Sequence, residues 1–203
     1  TSRDTCDSGE CIGGPPPAEV CNGYDDDCDD IVDESCECIT DVIHHSGPMV
    51  LLQPSGDMAS IVSDMPTHWK SASAAMPDSQ WIWRADDVVG GAIQRFFMTV
   101  AVPAEVTSVE GMLSIAADHQ VLVRVNGSDV FNSMVPEADD DASVEAGFAT
   151  YIEIDEWLVL GNNVVEFQVQ QPAAATGAQS AGLIFELSTV YRHPSADGVC
   201  LLP

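Results

Sequence analysis

The feature that most constrains the fold is a series of short segments that alternate apolar and polar residues or concentrate aromatic and β-branched ones. Turn signals separate the segments, among them Asn126-Gly127, which is a strong hairpin signal between two apolar runs. Many short strands without long amphipathic helices predict a mainly β fold, a jelly-roll β-sandwich. The predicted strands are 80–84, 95–102, 108–116, 121–125, 150–154, 164–170 and 183–187.

The tryptophans of the chain are candidates both for the core and for a ligand platform. Trp81 and Trp83 share one face of the predicted strand 80–84, so they are expected in the core. Trp69 lies in the irregular region 55–78, which is rich in Ser, Met, Ala and Pro. We therefore take Trp69 as the candidate for an exposed platform on which a sugar ring could stack.

Other polar motifs are interpreted as structural. His44-His45 with Asp41 is not expected to form a metal site, because adjacent residues of a strand point to opposite faces. Asn126-Gly127-Ser128 matches the N-glycosylation sequon, but a type I′ hairpin turn is the favoured interpretation. A single helical turn is predicted at 155–160. We find no catalytic constellation and expect a protein that is not an enzyme.

The N-terminal segment has a different composition. Residues 1–38 contain 12 acidic residues, six Cys, one Arg and the run Gly13-Gly14-Pro15-Pro16-Pro17, with almost no apolar residues. Such a segment cannot build a hydrophobic core and needs a metal or disulfides to be ordered. The sequence therefore predicts a short, cysteine-rich acidic arm at 1–40, followed by a β-sandwich domain at 41–203.

Alternating carboxylates in this arm predict a calcium site. Asp25, Asp27 and Asp29 occupy every second position, as at the start of an EF-hand-like loop. Position 12 of such a loop is Cys36 instead of the closing Glu, and flanking helices are missing, so an EF-hand switch is not predicted. The expected ligands are Asp25, Asp27, Asp29, Asp33 and the Ile31 carbonyl, with Asn22 or Glu34 adjusting the shell.

The segment 19–34, in which Cys21 and Cys28 bracket the acidic loop, resembles the MopE-type metal-binding repeat of bacterial surface proteins. It is also similar to thrombospondin type 3 repeats. The family name suggests copper, but the candidate ligands are all hard oxygen donors, which favours calcium. The resemblance implies a defined metal-binding loop instead of a solvated acidic linker.

Several pieces of the β-rich region occur in a specific order along the chain. They include Trp81-Ile82-Trp83, Arg95-Phe96-Phe97, Val123-Arg124-Val125-Asn126-Gly127 and Leu160-Gly161-Asn162-Asn163. Over 80–191 they resemble the galactose-binding-like jelly roll that is found beside many glycosidases. The resemblance implies the fold but carries no binding residues, because the sugar site of this fold lies on variable loops.

The cysteines indicate an oxidising compartment, since six of the seven lie between Cys6 and Cys38. Cys21 and Cys28 are expected to pair with each other or with another arm cysteine. Cys200 is expected to bond to an arm cysteine, to stay reduced or to bridge to another chain. The first option is favoured, because closing such a long loop stabilises a docked arm by a few kcal/mol. The disulfide candidates are Cys6, Cys11, Cys21, Cys28, Cys36, Cys38 and Cys200.

The charge of the chain excludes several classes of partner. The net charge is −27, and only six residues are Lys or Arg, so phosphates of nucleic acids or of anionic membranes cannot be neutralised. No apolar run approaches the roughly 20 residues that membrane insertion requires. The chain begins at Thr1, so we interpret it as an extracellular or cell-surface form from which an export signal has been removed.

Two functional classes remain after these exclusions. The first is a secreted, non-catalytic structural or adhesive surface protein, stabilised by calcium and self-associating as a subunit of an extracellular filament. An odd number of cysteines, a long arm and open sheet edges favour it. The alternative is a stand-alone carbohydrate-binding module, which would be a monomer with an exposed aromatic platform at Trp69.

Overall fold

The computed structural model describes residues 5–7, 10–12, 24–25, 32, 36–63, 67–83, 93–118, 120–133, 149–170 and 182–194. Strands β1 to β13 are Thr5–Asp7, Glu10–Ile12, Glu37–His45, Leu51–Gln53, Ser60–Ile61, Ile82–Trp83, Ile93–Val102, Ser108–Ala117, Gln120–Val125, Ser128–Asn132, Thr150–Glu153, Gly161–Gln170 and Leu183–Pro194. Helix α1 is Lys70–Ala75, and 3-10 turns lie at Thr67–Trp69 and Asp155–Trp157.

The strands form two large sheets, so the predicted mainly β sandwich is confirmed. The five-stranded sheet has the order β10-β9-β12-β7-β4. The six-stranded sheet has the order β11-β8-β13-β6-β5, and β3 also pairs with β13. Strands β1 and β2 form a separate antiparallel pair in which Cys6 lies opposite Cys11.

The chain divides into two compact units. The smaller unit combines Thr1–Asp41, Pro103–Val109 and Val190–Pro203, and the larger one combines Val42–Val102 and Glu110–Thr189. The arm predicted at 1–40 falls within the smaller unit, and its role stays a prediction. All surfaces discussed below belong to the larger unit.

The core of the larger unit follows from the two-residue period of its strands. Val165, Phe167 and Val169 of β12 are fully buried, whereas their neighbours on the same strand point away from the core. Phe167 stacks on Phe185 of the six-stranded sheet, with ring centroids 4.4 Å apart and an interplanar angle of 19°. The inward-facing rings of the two sheets therefore pack directly against each other.

Each of the seven predicted segments overlaps an observed strand, and the predicted turn at 155–160 is the 3-10 turn Asp155–Trp157. Strand β3 was not predicted, because its outward-facing residues include Ile39 and Ile43, which are 57% and 51% exposed and obscure the polar–apolar period. Strands β1, β2, β4, β5 and β10 and helix α1 were not predicted either. Within the described part of the chain, no helix is long and apolar enough to cross a membrane.

Candidate functional site

The predicted calcium ligands lie mostly outside the described residues. Asp25 is described and partly exposed, whereas Asn22, Asp27, Asp29, Ile31, Asp33 and Glu34 are not described. Among the residues that the structure does describe, there is no group of three or more His, Cys, Asp or Glu side chains that could hold a metal ion. The calcium site therefore stays a prediction from the sequence.

Two arm cysteines lie at the start of β3. Cys36 and Cys38 are 6% and 1% exposed, and both are disulfide-bonded. Cys21, Cys28 and Cys200 lie outside the described residues. The pairing of the seven cysteines therefore stays a prediction.

Trp69 is not an exposed platform, and the prediction that it is one is wrong. Its side chain is completely buried and stacks on Trp81, with ring centroids 4.1 Å apart and an interplanar angle of 20°. The 3-10 turn Thr67–Trp69 and helix α1 carry this ring into a cluster with small neighbours, including Ala72 and Ala116. The composition of 55–78 gave no sign of the short helical segment within it. The small residues of this segment leave room for two stacked indoles. Trp81 and Trp83, at 2% and 6% exposure, are core residues as predicted.

Asn126 performs a structural role. Asn126 and Gly127 have φ values of 51° and 83°, as the predicted type I′ turn between β9 and β10 requires. The Asn126 side-chain amide donates to the Trp157 carbonyl at 2.9 Å and to Asn163 Oδ1 at 2.8 Å. Its Oδ1 accepts the Val164 N–H at 3.0 Å. Both amide hydrogens of the sequon Asn are therefore engaged within the protein.

The outer face of the five-stranded sheet carries two cross-strand rows of side chains, which we call the polar face. In each row, every residue lies directly opposite the next one on the neighbouring strand. The first row is Asp129, Arg124, Glu166, Phe97 and Leu51. The second row is Asn132, Leu122, Gln168, Arg95 and Gln53. With strands about 4.8 Å apart, each row extends about 19 Å across the sheet.

Polar contacts hold the centre of this face in place. Glu166 Oε1 accepts a 3.0 Å hydrogen bond from Gln168 Nε2 and lies 3.8 Å from Arg95 Nε. Arg124 forms an ion pair with Asp129 through its Nε. The side chains of Glu166 and Arg124 are only 22% and 29% exposed, so their charges are fixed at a partly dry surface. The face carries two of the six cations of the chain and balances them with two carboxylates.

A pocket of about 450 Å³ lies where the first row ends. Three segments line it: 43–45 of β3, 49–51 at the start of β4, and 97–99 of β7. The pairing of β4 with β7 extends only from Gln53 opposite Arg95 to Leu51 opposite Phe97. Leu51 and Phe97 belong to both the polar face and the pocket, so the two are continuous.

The adjacent histidines at this pocket have different surroundings. His44 Nε2 is buried without a hydrogen-bond partner. Burial, and secondarily the neighbouring His45, lower the pKa of His44 below its usual value of 6.5. His45 Nδ1 instead lies 3.3 Å from Ser79 Oγ and 3.5 Å from Glu186 Oε2.

Sequence reasoning located β7, β9 and β12 of the polar face, missed β4 and β10, and assigned the face no function. The signal was the alternation in 120–125 and 164–170, where Gln, Arg and Glu separate Val and Phe residues. Such alternation shows that these polar side chains share the outer face of a sheet. It does not show which of them are opposite each other, because register depends on the paired strands.

Comparisons with known proteins give structural likenesses alone. No protein-family model matches the sequence, and no curated protein matches it. The chain is similar to a Streptomyces avermitilis alpha-L-rhamnosidase complexed with L-rhamnose, with 23% identity, a TM-score of 0.39, and coverage of 64% of this chain and 12% of the rhamnosidase.

Two carbohydrate-binding modules are also similar in structure. One is the CBM36-1 domain of a multidomain xylanase from the hindgut metagenome of Trinervitermes trinervoides, with 11% identity, a TM-score of 0.39 and coverage of 74% and 96% of the two chains. The other is a family 35 module from Clostridium thermocellum, with 17% identity, a TM-score of 0.35 and coverage of 76% and 98%. At these TM-scores the likenesses carry no argument about function.

Proposed function

We propose that this chain is an extracellular, non-catalytic recognition module that binds a neutral polysaccharide along the polar face. The observation that supports this proposal is the pair of rows that cross all five strands of the sheet. An extended polymer could follow these rows for about 19 Å and meet charged and amide side chains interspersed with Phe97, Leu51 and Leu122. The proposal adopts the carbohydrate-binding alternative but moves the site from Trp69 to the polar face.

The chemistry of the rows suits sugar hydroxyl groups. A hydroxyl both donates and accepts hydrogen bonds, and the centre of the face offers the donors of Arg95 and the acceptors of Glu166, whereas Gln168 is only 6% exposed and supports Glu166 from below. The 3.0 Å bond between Gln168 and Glu166 holds these groups in place, so binding loses less side-chain entropy. Phe97 and Leu51 provide a partly buried apolar surface for the C–H face of a sugar ring.

The charge distribution favours neutral polymers. Because the chain carries a net charge of −27, a polyanionic glycan would be repelled at long range. The two cations of the polar face are balanced by Glu166 and Asp129, so they leave no local excess of positive charge.

Calcium binding and self-association are separate proposals that the sequence supports. Twelve acidic residues in 1–38 and the alternation from Asp25 support a calcium-ordered arm. The position of β10 at the end of the strand order of the five-stranded sheet, as far as the structure describes the chain, and an odd number of cysteines support a structural or adhesive role with contacts between copies of the chain. Sedimentation with calcium and then with a chelator tests self-association. A protein that stays monomeric in both buffers, at concentrations well above micromolar, would refute the self-association proposal.

Affinity electrophoresis through gels that contain soluble xylan, glucomannan, mixed-linkage β-glucan or galactan tests the proposed function. We expect at least one of these polysaccharides to retard the protein. Arg95→Ala should weaken that retardation at least about tenfold, because it removes donors from the centre of the face. Tyr151→Ala is the matched control, since Tyr151 is 63% exposed on β11 of the other sheet. Migration unaffected by every polysaccharide, or equal losses in both variants, contradicts the proposal.

A further inference from the structure

The pocket at the end of the first row differs in character from the polar face. The side chains of Ile43, Met49, Val50 and Leu51 make much of its lining apolar. Its volume of about 450 Å³ lies within the range of roughly 300–1,000 Å³ that is usual for small-molecule sites. Because Leu51 and Phe97 are shared with the first row, a polymer that follows this row reaches the pocket.

One polar atom among the described residues of the pocket lacks a partner. His44 Nε2 is buried and makes no hydrogen bond in the protein, which is unfavourable for a ring nitrogen. The lowered pKa of His44 keeps its ring neutral near pH 7, so the ring carries one N–H and one lone pair. Met49, which also lines the pocket, is 79% exposed and has three rotatable bonds, so its side chain can adapt to a bound ligand.

We propose that this pocket recognises an acetyl group carried by the glycan on the polar face, and this inference rests on the proposed function. An acetyl group joins a methyl to a single carbonyl oxygen. The methyl fits the apolar lining, and the carbonyl can accept the His44 Nε2–H. A hydroxyl at the same sugar position would lose its hydration among the apolar side chains without gaining enough hydrogen bonds. The pocket therefore selects acetylated sugars over the parent sugars.

Matched pairs of neutral oligosaccharides test this proposal by isothermal titration calorimetry. Chitotetraose and cellotetraose share a β-1,4-linked glucose backbone and differ in the acetamido groups. O-acetylated xylotetraose and its deacetylated form make the same comparison for an ester. We expect the acetylated member of at least one pair to bind at least about tenfold more tightly, and the pair that discriminates identifies the amide or the ester as the source.

A pocket variant and a spectroscopic readout locate the effect. His44→Phe keeps a ring but removes the nitrogen that would donate to the acetyl carbonyl, so it should weaken the preference within the discriminating pair. Tyr151→Ala should retain the preference. In the unmodified protein, the acetylated ligand should shift the NMR signal of the Met49 methyl and leave that of Met112 unchanged, because Met112 lies on β8 of the other sheet and does not line the pocket.

Each result decides between the two proposals. Equal affinities within both pairs overturn the acetyl pocket and leave polysaccharide binding in place. If a polysaccharide binds in the gels but no acetylated oligosaccharide binds, the acetyl pocket is again overturned and polysaccharide binding is kept. Failure of every polysaccharide and every oligosaccharide overturns both proposals. A preference that is undiminished in His44→Phe, or a shift of the Met112 methyl without one at Met49, would show that the pocket does not recognise the acetyl group.

Discussion

Replacement of Gly182 by Ala tests whether the stacked rings of Trp69 and Trp81 pack against the backbone. This packing buries Trp69, so it cannot serve as a ligand platform. A Cβ atom at position 182 would lie 2.7 and 2.9 Å from two ring carbons of Trp69 and 2.8 Å from Cε3 of Trp81. Carbon atoms in good contact are about 3.5–4.0 Å apart, so the rings would have to retreat by about 0.7 Å. The stacked rings of Trp69 and Trp81 therefore lie directly on the backbone at position 182, where only glycine leaves them enough space.

The substitution should lower the free energy of unfolding, because the two rings have no space into which to move. The two rings are 0% and 2% exposed, and Met76 and Ile184 lie in the same cluster. Overpacking of a core costs about 1–3 kcal/mol. We expect about 3 kcal/mol, because two rigid rings are displaced at once and neither can rotate away as a flexible chain end would. For a chain of this length, that corresponds to a Tm lower by roughly 6–12 °C.

Urea unfolding followed by far-ultraviolet circular dichroism measures the difference in unfolding free energy. Gly47→Ala is the control, because a Cβ there would meet only Gln80 Oε1, at an ordinary 3.6 Å, and its stability should change by less than about 0.5 kcal/mol. If Gly182→Ala is as stable as this control, the indoles are not packed against the backbone as described.

Four further predictions concern other parts of the molecule. Chelation should make residues 1–38 more sensitive to protease, and equal resistance with and without calcium would show that calcium does not order the arm. Asn163→Ala should lower the unfolding free energy in urea by about 2–4 kcal/mol, because buried Asn163 binds both the N–H and the carbonyl of Val159; exposed Asn162→Ala is its control. In a glycosylating host, Asn126 should stay unmodified, since both its amide hydrogens are engaged, and a glycan in the intact mass would contradict this. The lowered pKa of His44 means that the unfolded chain binds more protons, so stability should fall as the pH drops below about 6.5; His44→Phe should remove this part of the decline, and an unchanged pH profile would refute the assignment.

The strands could be predicted because a buried sheet face imposes a two-residue period on the sequence. Segment 164–170 alternates Val, Phe and Val with Glu and Gln, and the structure places the apolar set inward. Strand β3 could not be predicted in this way, since exposed isoleucines interrupt its polar face. Trp69 was misplaced for a related reason: the small residues around it indicate a loop by composition, whereas in the folded chain they provide the space into which an indole packs.

The arrangement of the polar face could not be predicted from the period of single strands, because it depends on the register between strands. Its members come from β4, β7, β9, β10 and β12, and the polar character of seven of the ten residues is visible in the sequence. Their function depends on register, however, because a slip of one residue would turn Glu166 into the core and separate it from Arg124. That register is fixed by the buried side chains on the opposite face, such as Phe167 opposite Phe96. The core thus determines which polar groups become neighbours, so the arrangement of the candidate site follows from residues that cannot touch a ligand.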